Sequence, residues 1–423
     1  GIFGGIGLSG RLPVSAGSIA LAGEGFNTGK PVRLGFSEPR DVGLHPDTLI
    51  RMETIIKEAI RQKAMPGCQL LVARHGVVCL HEAWGRTAPA PEGHQISTDS
   101  YFLIASNSKL ITATAVMMLV EDGLVGLTRP VNFYIPEFTA PGTEGILLQH
   151  LLTHTSGYDW DETPLQTAAL LEAGIDVPPC PDNQNPTLHA SLHALCRTSP
   201  AKKPGVQMSY ANENYELLGE IVRRVSGMKF GDFLAERIFQ PLGIDGVRLG
   251  LEPSIEADFV WDFSIPWSEG APTGEEFREA LRVPHPAGTL FGRAREYAVF
   301  AQMLLNKGRY GDAQILRPVT VAQMTRNQIP GIPTEFFGHQ HDEAGWGYGA
   351  NMIETQRWPW FDGSLTPDGS FTHGGGGGTS FWVDPSKDLL GVYFSFCNTR
   401  DPVTDEYMWD ADLFQNMVTA AVA

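Results

Sequence analysis

The spacing of hydrophobic residues predicts a helix and a β-hairpin where regular structure begins. In residues 47–63, apolar side chains recur every three or four positions, which is typical of an amphipathic helix. Residues 68–73 and 77–83 are strand-like apolar runs on either side of Arg-His-Gly at 74–76, which is a turn signal. The regular part of the chain is therefore predicted to begin as helix, strand, strand.

The stretch 101–122 begins as a short apolar run and continues as a long helix. From Leu110 onward, apolar or small side chains fall close to the helical repeat. Similar patterns predict further elements downstream. The predicted helices are 146–153, 215–226, 230–239, 294–306, 319–327 and 410–422, and the predicted strands are 346–353, 379–383 and 389–396.

Strands are thus predicted near both ends of the chain and helices in its middle. The simplest fold is α+β, in which residues 45–105 and 290–423 form an α/β domain with an antiparallel sheet flanked by helices. Residues 106–289 would form a mostly helical second domain, and the cleft between the two is the expected place for an active site. Residues 1–44 show no clear period and are predicted to be an irregular arm.

Composition and charge exclude several classes of partner. The formal net charge of −17 argues against nucleic acid and anionic membrane surfaces. No apolar run approaches the length that spans a bilayer. The five cysteines are scattered and include no C-x-x-C pair, which argues against a disulfide framework or a zinc site. The sequence does not determine the oligomeric state.

The chain starts at Gly1 rather than at methionine, which we interpret as a trimmed or processed start. Residues 1–25 are rich in glycine and small side chains, but they lack the basic segment and continuous apolar core of an intact signal peptide. A remnant of a cleaved signal is one interpretation. A secreted or periplasmic location and a cytoplasmic one therefore both stay open.

Candidate chemistry first occurs where the stretch 101–122 turns helical, at Ser106-Asn107-Ser108-Lys109. A serine and a lysine three positions apart share one face of a helix. Ser106 would lie in the first turn, where unpaired N–H groups and the helix dipole favour a developing anion. A hydroxyl needs a base to become a good nucleophile, and Lys109 is such a base if burial or a nearby cation lowers its pKa.

The same Ser-x-x-Lys spacing also occurs at 199–202 and 226–229. The first of these lies beside a proline in a loop-like stretch, and the second lies where Gly227 ends a predicted helix. Only Ser106 opens a long apolar helix. On these residues alone, an alternative stays open in which Ser106 merely caps the helix and Lys109 is solvated.

A second candidate segment is Tyr210-Ala211-Asn212, just before the predicted helix 215–226. A phenol has a pKa of about 10 and is normally a poor base, but an ammonium such as Lys109 would make its anion more accessible. Tyr210 could then relay a proton between Ser106, the leaving group and a water. The alternative is a simple turn in which Tyr210 packs and Asn212 caps the helix.

A third candidate segment is His-Gly-Gly-Gly-Gly-Gly at 373–378, which leads into the predicted strand 379–383. Consecutive glycines cost backbone entropy, and a glycine edge leaves room for a ligand to approach the backbone. Its N–H groups could supply half of an oxyanion hole, with the Ser106 N–H as the other half. A phosphate-binding loop fits poorly because no Lys-Ser/Thr follows, and the strong strand argues against a flexible tether.

Taken in order, S-x-x-K at 106–109, Y-A-N at 210–212 and H-G-G at 373–375 resemble the serine hydrolases of the class C β-lactamase and penicillin-binding-protein group. That group includes family VIII carboxylesterases, D-aminopeptidases and lovastatin-type acyltransferases. LLTHTSG, NENYELLGEIV and GTSFWVDP, which begin at positions 151, 212 and 378, are similar to the same group. The resemblance extends from about residue 45 to the end and implies a β-lactamase/penicillin-binding-protein-like fold.

The resemblance also implies an acyl-enzyme mechanism on a small-molecule ester or amide, with no metal or organic cofactor. Ser106 would attack a carbonyl, Lys109 would be the general base or its partner, and Tyr210 would protonate the leaving group and activate water or another alcohol. Asn212 would hold Lys109 or the substrate amide. The N–H groups of Ser106 and Gly376 would bind the oxyanion, and the substrate would also contact His373, Gly374 and Gly375.

One position departs from the β-lactamase pattern. Lysine usually begins the third motif and meets a substrate carboxylate, whereas this chain has His373 there. Because histidine is largely neutral at pH 7, the expected activity is that of a carboxylesterase on small or medium acyl esters. D-aminopeptidase, D-peptidase or β-lactamase activity, an acyltransferase, and a non-enzyme that binds acyl ligands are the alternatives, since D-aminopeptidase-like members also carry histidine here.

Other motifs have weaker interpretations. His339-Gln-His341-Asp342 resembles part of a metal site, but no fuller ligand set lies nearby in the sequence, so a polar loop is expected. His154 is expected to satisfy backbone groups in a tight turn. The absence of G-x-S-x-G argues against an α/β-hydrolase. The aromatic residues that could line an acyl pocket are Trp160, Trp261, Trp267, Trp346, Tyr348, Trp358 and Trp360.

Overall fold

The fold is described from a computed structural model, which defines residues 15, 33–62, 65–88, 93–261, 273–336, 339–354, 356–358, 362–396 and 411–423. The strands are β1 Gly35–Phe36, β2 Gly67–Arg74, β3 Val77–Gly85, β4 Phe102–Leu103, β5 Met208–Ser209, β6 Arg248–Leu249, β7 Leu290–Gly292, β8 Arg309–Tyr310, β9 Ala313–Gln314, β10 Thr334–Phe336, β11 His339–His341, β12 Asn351–Met352, β13 Phe371–Gly375, β14 Thr379–Asp384 and β15 Leu389–Ser395.

The helices alternate with these strands and are concentrated in the middle of the chain. They are α1 Pro46–Arg61, α2 Ser108–Glu121, α3 Leu148–Leu152, α4 Glu162–Glu172, α5 Pro186–Leu195, α6 Glu213–Ser226, α7 Phe230–Leu234, α8 Gln240–Leu242, α9 Pro253–Glu256, α10 Gly274–Arg282, α11 Ala294–Leu305, α12 Pro318–Met324 and α13 Ala411–Ala420. Among the residues defined here, no helix has both the length and the apolar character needed to cross a bilayer.

The main sheet has seven strands in the order β1-β3-β2-β15-β14-β13-β12. All its pairs are antiparallel except β1 with β3, which run parallel at one edge. Strands from the beginning of the chain therefore pair with strands from its end, with Leu71 opposite Val392. This confirms the predicted α+β fold with an antiparallel sheet. The N-terminal and C-terminal strands meet at the β2–β15 pair.

Both faces of the sheet are covered because the strands are apolar on both sides. Leu71 and Ala73 of β2 belong to the larger core with α2 and α11, whereas Leu70 and Val72 belong to a second core with α1 and α13. Successive side chains of a strand point to opposite faces, so each run of consecutive apolar residues supports two helical layers. The apolar composition of the strands thus explains why helices flank the sheet on both faces.

The helix α2 differs from its predicted pattern. The sequence indicates one apolar face, but every residue from Ser108 to Leu119 is buried. Its polar side chains are satisfied internally: Thr112 donates to the Pro286 carbonyl at 2.8 Å and Thr114 to the Leu110 carbonyl at 2.8 Å. A helix surrounded on all sides can hold a buried lysine rigidly, which matters for the site below.

Three local predictions differ from the structure. In the predicted strand 346–353 only Asn351–Met352 pairs with β13, because the glycines before it turn the chain, Gly349 with φ +95°. The polar loop expected around 339–342 contains β11, which pairs with β10. The described end of the irregular arm contains β1. The rest of that arm (apart from residue 15), together with Trp267, Trp360 and Cys397, lies outside the described residues.

Candidate active site

Ser106 lies in a one-turn 3-10 helix, Ala105–Asn107, which joins β4 to α2. The preceding residue, Ala105, has φ +46°, which residues with a Cβ rarely adopt. This turn leaves Ser106 half-buried between two buried neighbours. The sequence predicts Ser106 within the first turn of the long helix. In the structure it lies just before α2 and remains partly accessible.

Asn107 ties this turn to the main sheet. Its amide nitrogen donates to the Ile104 carbonyl at 2.8 Å and to Thr379 Oγ1 of β14 at 3.1 Å. Its own carbonyl accepts from the Tyr297 hydroxyl of α11 at 3.0 Å. The backbone around Ser106 is thus fixed from two other elements, which the sequence motif alone did not indicate.

Lys109 is fully buried, and its amine has three oxygen neighbours. Its Nζ lies 3.0 Å from Ser106 Oγ, 2.7 Å from Asn212 Oδ1 and 2.8 Å from the Ala287 carbonyl oxygen. The solvated lysine considered above is therefore excluded. A neutral amine has two N–H groups, and two of its neighbours can only accept. Its lone pair is then left to face the Ser106 hydroxyl.

Burial also changes the protonation of this amine. It lowers the pKa of Lys109 to about 7, against the opposing effect of the Glu213 and Glu216 carboxylates. Desolvation disfavours the charged form of an amine, and a general base works best when its pKa is near the operating pH. Lys109 therefore has both the position and the protonation state needed to take a proton from Ser106.

Tyr210 adjoins the same two residues. The Lys109 Nζ lies 4.9 Å from the centroid of its ring. Burial raises the pKa of Tyr210, and an interaction with the Ser106 side chain acts in the opposite direction. The expectation that Lys109 makes the phenolate more accessible does not hold for the resting site, because desolvation has the largest effect on this pKa. The phenol is therefore a proton donor in the resting site.

Asn212 occupies the position immediately before α6 but does not cap it. No side-chain capping bond is present, and the amide oxygen accepts from Lys109 instead. The turn-and-cap alternative is therefore wrong for this residue. The segment just before α6 therefore brings both the amide of Asn212 and the ring of Tyr210 close to the lysine amine.

The glycine segment ends β13 and turns tightly into β14. Gly375 lies against the Ser106 turn: a Cβ there would be 2.6 Å from the Ile104 carbonyl. Gly377 has φ +91°, and a Cβ there would meet the rings of Trp261 and Phe396, each at 3.1 Å. Glycine is needed for both the approach and the turn. Gly376, the predicted oxyanion donor with Ser106, is half-buried at this edge, and that pairing stays a prediction.

His373 is buried in β13 beside the tyrosine. Its ring centroid lies 6.2 Å from that of Tyr210 and 5.7 Å from that of Trp346. Burial, helped by Lys109, lowers the pKa of His373 to about 3. The imidazole is therefore neutral, and its Nδ1 lies 2.6 Å from the Gly374 carbonyl, which assigns the ring proton to Nδ1. The position that is cationic in β-lactamases carries no charge here.

Sequence reasoning missed several contributors to the site. The Ala287 carbonyl carries no side-chain signal and reaches Lys109 from 178 residues away. Among the aromatic candidates, Trp160 and Trp346 contact the Tyr210 ring, at centroid distances of 5.9 and 6.1 Å. The motif residues Ser106, Lys109, Tyr210, Asn212 and His373 do converge. Ser199 and Ser226 of the other Ser-x-x-Lys matches take no part in the contacts around Lys109 described above.

A partly accessible serine beside a buried amine of lowered pKa, on an α+β fold, defines the class of serine hydrolases that use an active-site lysine. A family model described as Beta-lactamase matches residues 52–416. The chain belongs to this family, as its three motifs had suggested.

Relatives in the family have several activities. Esterase EstB of Burkholderia gladioli is 28% identical over 361 residues, covering 80% of this chain and 88% of EstB. Penicillin-binding protein 4 of Amycolatopsis lactamdurans is 27% identical, covering 77% and 85%. The solved structure of EstCE1, a hydrolase with promiscuous acyltransferase activity, has a TM-score of 0.67 at 20% identity, covering 89% and 98%. This last likeness concerns the fold alone.

Proposed function

We propose that this protein is a carboxylesterase that forms an acyl-enzyme on Ser106 and acts on small or medium acyl esters. The observation that carries the proposal is the 3.0 Å contact between Ser106 Oγ and the Lys109 amine, whose pKa burial lowers to about 7. The two acceptor oxygens of Asn212 and Ala287 support it, because they direct the amine lone pair toward the serine.

In acylation, Lys109 takes the Ser106 proton while Oγ attacks the ester carbonyl carbon. The resulting oxyanion would be bound by the N–H groups of Ser106 and Gly376. Tyr210 then donates its proton to the alkoxide as the C–O bond breaks, and the alcohol leaves. The new ammonium of Lys109 stabilises the phenolate of Tyr210 that this step creates, because opposite charges at close range favour both charged forms.

In deacylation, the Tyr210 phenolate takes a proton from water as that water attacks the acyl-enzyme carbonyl. The proton of Lys109 returns to Ser106 Oγ as the acid leaves, which restores the neutral amine and the phenol. Each proton removed in the first half is thus returned in the second. An alcohol in place of water would give transesterification by the same route.

A neutral ester is proposed over a β-lactam or peptide because the site lacks a cation for a substrate carboxylate at position 373. His373 is neutral, since burial lowers its pKa to about 3, and its Nδ1 is occupied by the Gly374 carbonyl. The relative EstB is described as an esterase, in keeping with this choice. Selection between substrate classes then depends on shape and hydrogen bonding rather than on charge.

The test is a substrate panel on the purified protein, with p-nitrophenyl acetate and butyrate, nitrocefin and D-alanyl p-nitroanilide. We expect esters to have the highest kcat/KM and Ser106→Ala to abolish their hydrolysis with the fold intact. The matched control is Ser199→Ala, which alters another Ser-x-x-Lys match and should leave turnover unchanged. Faster turnover of nitrocefin or the D-aminoacyl amide, or unchanged ester turnover in Ser106→Ala, would contradict the proposal.

A further inference from the structure

His154 lies in the turn after α3, where it holds an unusual backbone conformation. Its φ is +55°, although it is not glycine, and it is fully buried. A residue with a Cβ in the left-handed region costs free energy, and such positions persist when the surroundings determine them. The contacts of His154 are therefore informative about what this turn holds.

His154 contacts three consecutive residues of the Tyr210 segment. Its carbonyl accepts from the Ser209 N–H at 2.8 Å, and its Nδ1 accepts from the Ala211 N–H at 3.2 Å. Its ring stacks on the ring of Tyr210, with centroids 4.3 Å apart and planes 29° from parallel. One residue thus holds the backbone before Tyr210, the backbone after it and the ring itself.

A second layer fixes the orientation of the imidazole. The Asn214 amide nitrogen also lies 3.2 Å from His154 Nδ1, and the Asn214 amide oxygen accepts from Ser156 Oγ at 2.6 Å. Because two N–H donors point at Nδ1, that nitrogen has no proton and Nε2 carries it. The Trp346 ring packs against the imidazole in a T-shaped arrangement, with centroids 5.3 Å apart. The imidazole therefore has one tautomer and one orientation, both set by neighbours.

We propose that His154 is a positioning residue that sets the placement of the Tyr210 phenol relative to Ser106 and the leaving group. It acts through Tyr210 and does not itself transfer a proton, because its ring stacks on the phenol and its Nδ1 accepts from the Ala211 N–H. The inference rests on the proposed function, in which Tyr210 protonates the departing alcohol. Misplacing a catalytic group by about 1 Å can reduce a rate by about a hundredfold.

The experiment compares two butyrate esters that differ only in the leaving group. Ethoxide needs a proton to leave, whereas p-nitrophenolate leaves readily without one. Loss of Tyr210 placement should therefore lower kcat/KM for ethyl butyrate far more than for p-nitrophenyl butyrate. Tyr210→Phe is the reference for this leaving-group dependence, and a general loss of structure would lower both values together.

The principal variant is His154→Asn, because asparagine tolerates a positive φ and its amide oxygen can replace Nδ1 as an acceptor while the stacked ring is lost. We expect kcat/KM for ethyl butyrate to fall about ten- to a hundredfold, with a change of less than about fivefold for p-nitrophenyl butyrate. The matched control is His150→Asn in the adjacent helix, where Nδ1 accepts a local bond from the Leu147 N–H. That variant should match the wild type on both esters.

A double-mutant cycle separates positioning from an independent role. In the Tyr210→Phe background, His154→Asn should cause no further loss on ethyl butyrate. Additive losses, equal losses on the two esters, or no loss would overturn the inference. If His154→Asn does not fold, the second variant is Asn214→Ala, which keeps the imidazole but removes one donor that fixes its tautomer. A loss of activity in Asn214→Ala that is equal for the two esters would also contradict the inference. Absence of any esterase activity in the wild type would instead reject the proposed function.

Discussion

The Ala287 carbonyl oxygen and the Lys109 amine are 2.8 Å apart, although the two residues are separated by 178 positions. This contact gives the buried amine a backbone acceptor. Because a neutral amine has only two hydrogens, the carbonyl also decides where the lone pair points. The loop that carries Ala287 therefore helps to orient the general base Lys109. The position of this loop can be altered without replacing any side chain of the site.

Gly219 of α6 offers a way to move that loop. A Cβ at Gly219 would lie 2.2 Å from Pro286 Cγ, so Gly219→Ala must displace Pro286 and with it Ala287. Overpacking of this kind costs about 1–3 kcal/mol. We expect kcat for p-nitrophenyl butyrate to fall at least about tenfold, measured together with urea unfolding.

The control for this substitution is Gly227→Ala at the end of the same helix. Gly227 has φ +72° and no atoms near its missing Cβ, so alanine there strains only the helix end. It should lower stability by about 1–2 kcal/mol with kcat unchanged. If Gly219→Ala and Gly227→Ala behave alike in catalysis, the Ala287 carbonyl does not orient the base.

The pH dependence of acylation should report the titration of Lys109. Burial lowers its pKa to about 7 and the neutral amine is the active form, so kcat/KM should fall about tenfold per unit below that pH. Glu216 opposes the shift by favouring the ammonium. Removing that charge in Glu216→Gln should lower the pKa further and move the acidic limb to lower pH.

Glu216 is a better choice for this test than Glu213. Burial raises the pKa of Glu213, so its own carboxyl would titrate together with Lys109 and blur the measurement. The control is Glu236→Gln, an exposed glutamate, which should leave the limb in place. The measurement is kcat/KM for p-nitrophenyl butyrate between pH 5 and 9. A limb that moves upward in Glu216→Gln would contradict the assignment.

The sequence predicted the fold and the converging motifs better than it predicted the protonation states of the site residues. Consecutive apolar runs determine the central strands of the sheet, because those strands bury both faces. The Ser106–Lys109 spacing of three residues favours a local contact between the two side chains. By contrast, the Ala287 carbonyl and the desolvation of Tyr210 depend on loops folding over the site, so composition and spacing carry no signal for them. The same holds for the many contacts of His154.

His373 allows a test of substrate charge. His373→Lys would place a cation where a substrate carboxylate could bind, so the ratio of nitrocefin to p-nitrophenyl butyrate turnover should rise. The ester rate itself should fall, because lysine removes the imidazole ring that packs beside Tyr210 and Trp346. Stopped assays at fixed protein concentration on the two chromogenic substrates give the ratio directly.

The neutral variant His373→Gln provides the control for this change. Because burial already keeps His373 uncharged above a pH of about 3, replacing it with an amide should leave the acidic limb near pH 7 where it is. A limb that disappears in His373→Gln would show that histidine, and not lysine, titrates in acylation. If the ratio of nitrocefin to p-nitrophenyl butyrate turnover is unchanged in His373→Lys, charge at this position does not determine the substrate class.

Glu220 should control the stability of α6 without entering the chemistry. It is almost fully buried and accepts from Arg223 at 2.7 and 2.8 Å, from Arg224 at 2.6 Å and from Gln184 at 2.6 Å. Removing one partner of a buried ion pair typically costs about 3–5 kcal/mol, because the other charge stays buried. Glu220→Gln should therefore lower the free energy of unfolding by about 3 kcal/mol, measured in urea, with kcat unchanged.

The matched control is Glu53→Gln, whose partner Lys57 lies on the exposed face of α1. An exposed pair of this spacing contributes only about 0.3–0.5 kcal/mol to stability. Both substitutions remove one negative charge, so the difference between their effects on the free energy of unfolding is due to burial. Asn212 begins the helix and Glu220 lies two turns further on, so the site should keep its geometry while the native state is present. A loss of kcat in Glu220→Gln under native conditions would mean that the ion network also holds Asn212 against Lys109, and that α6 transmits strain along its length.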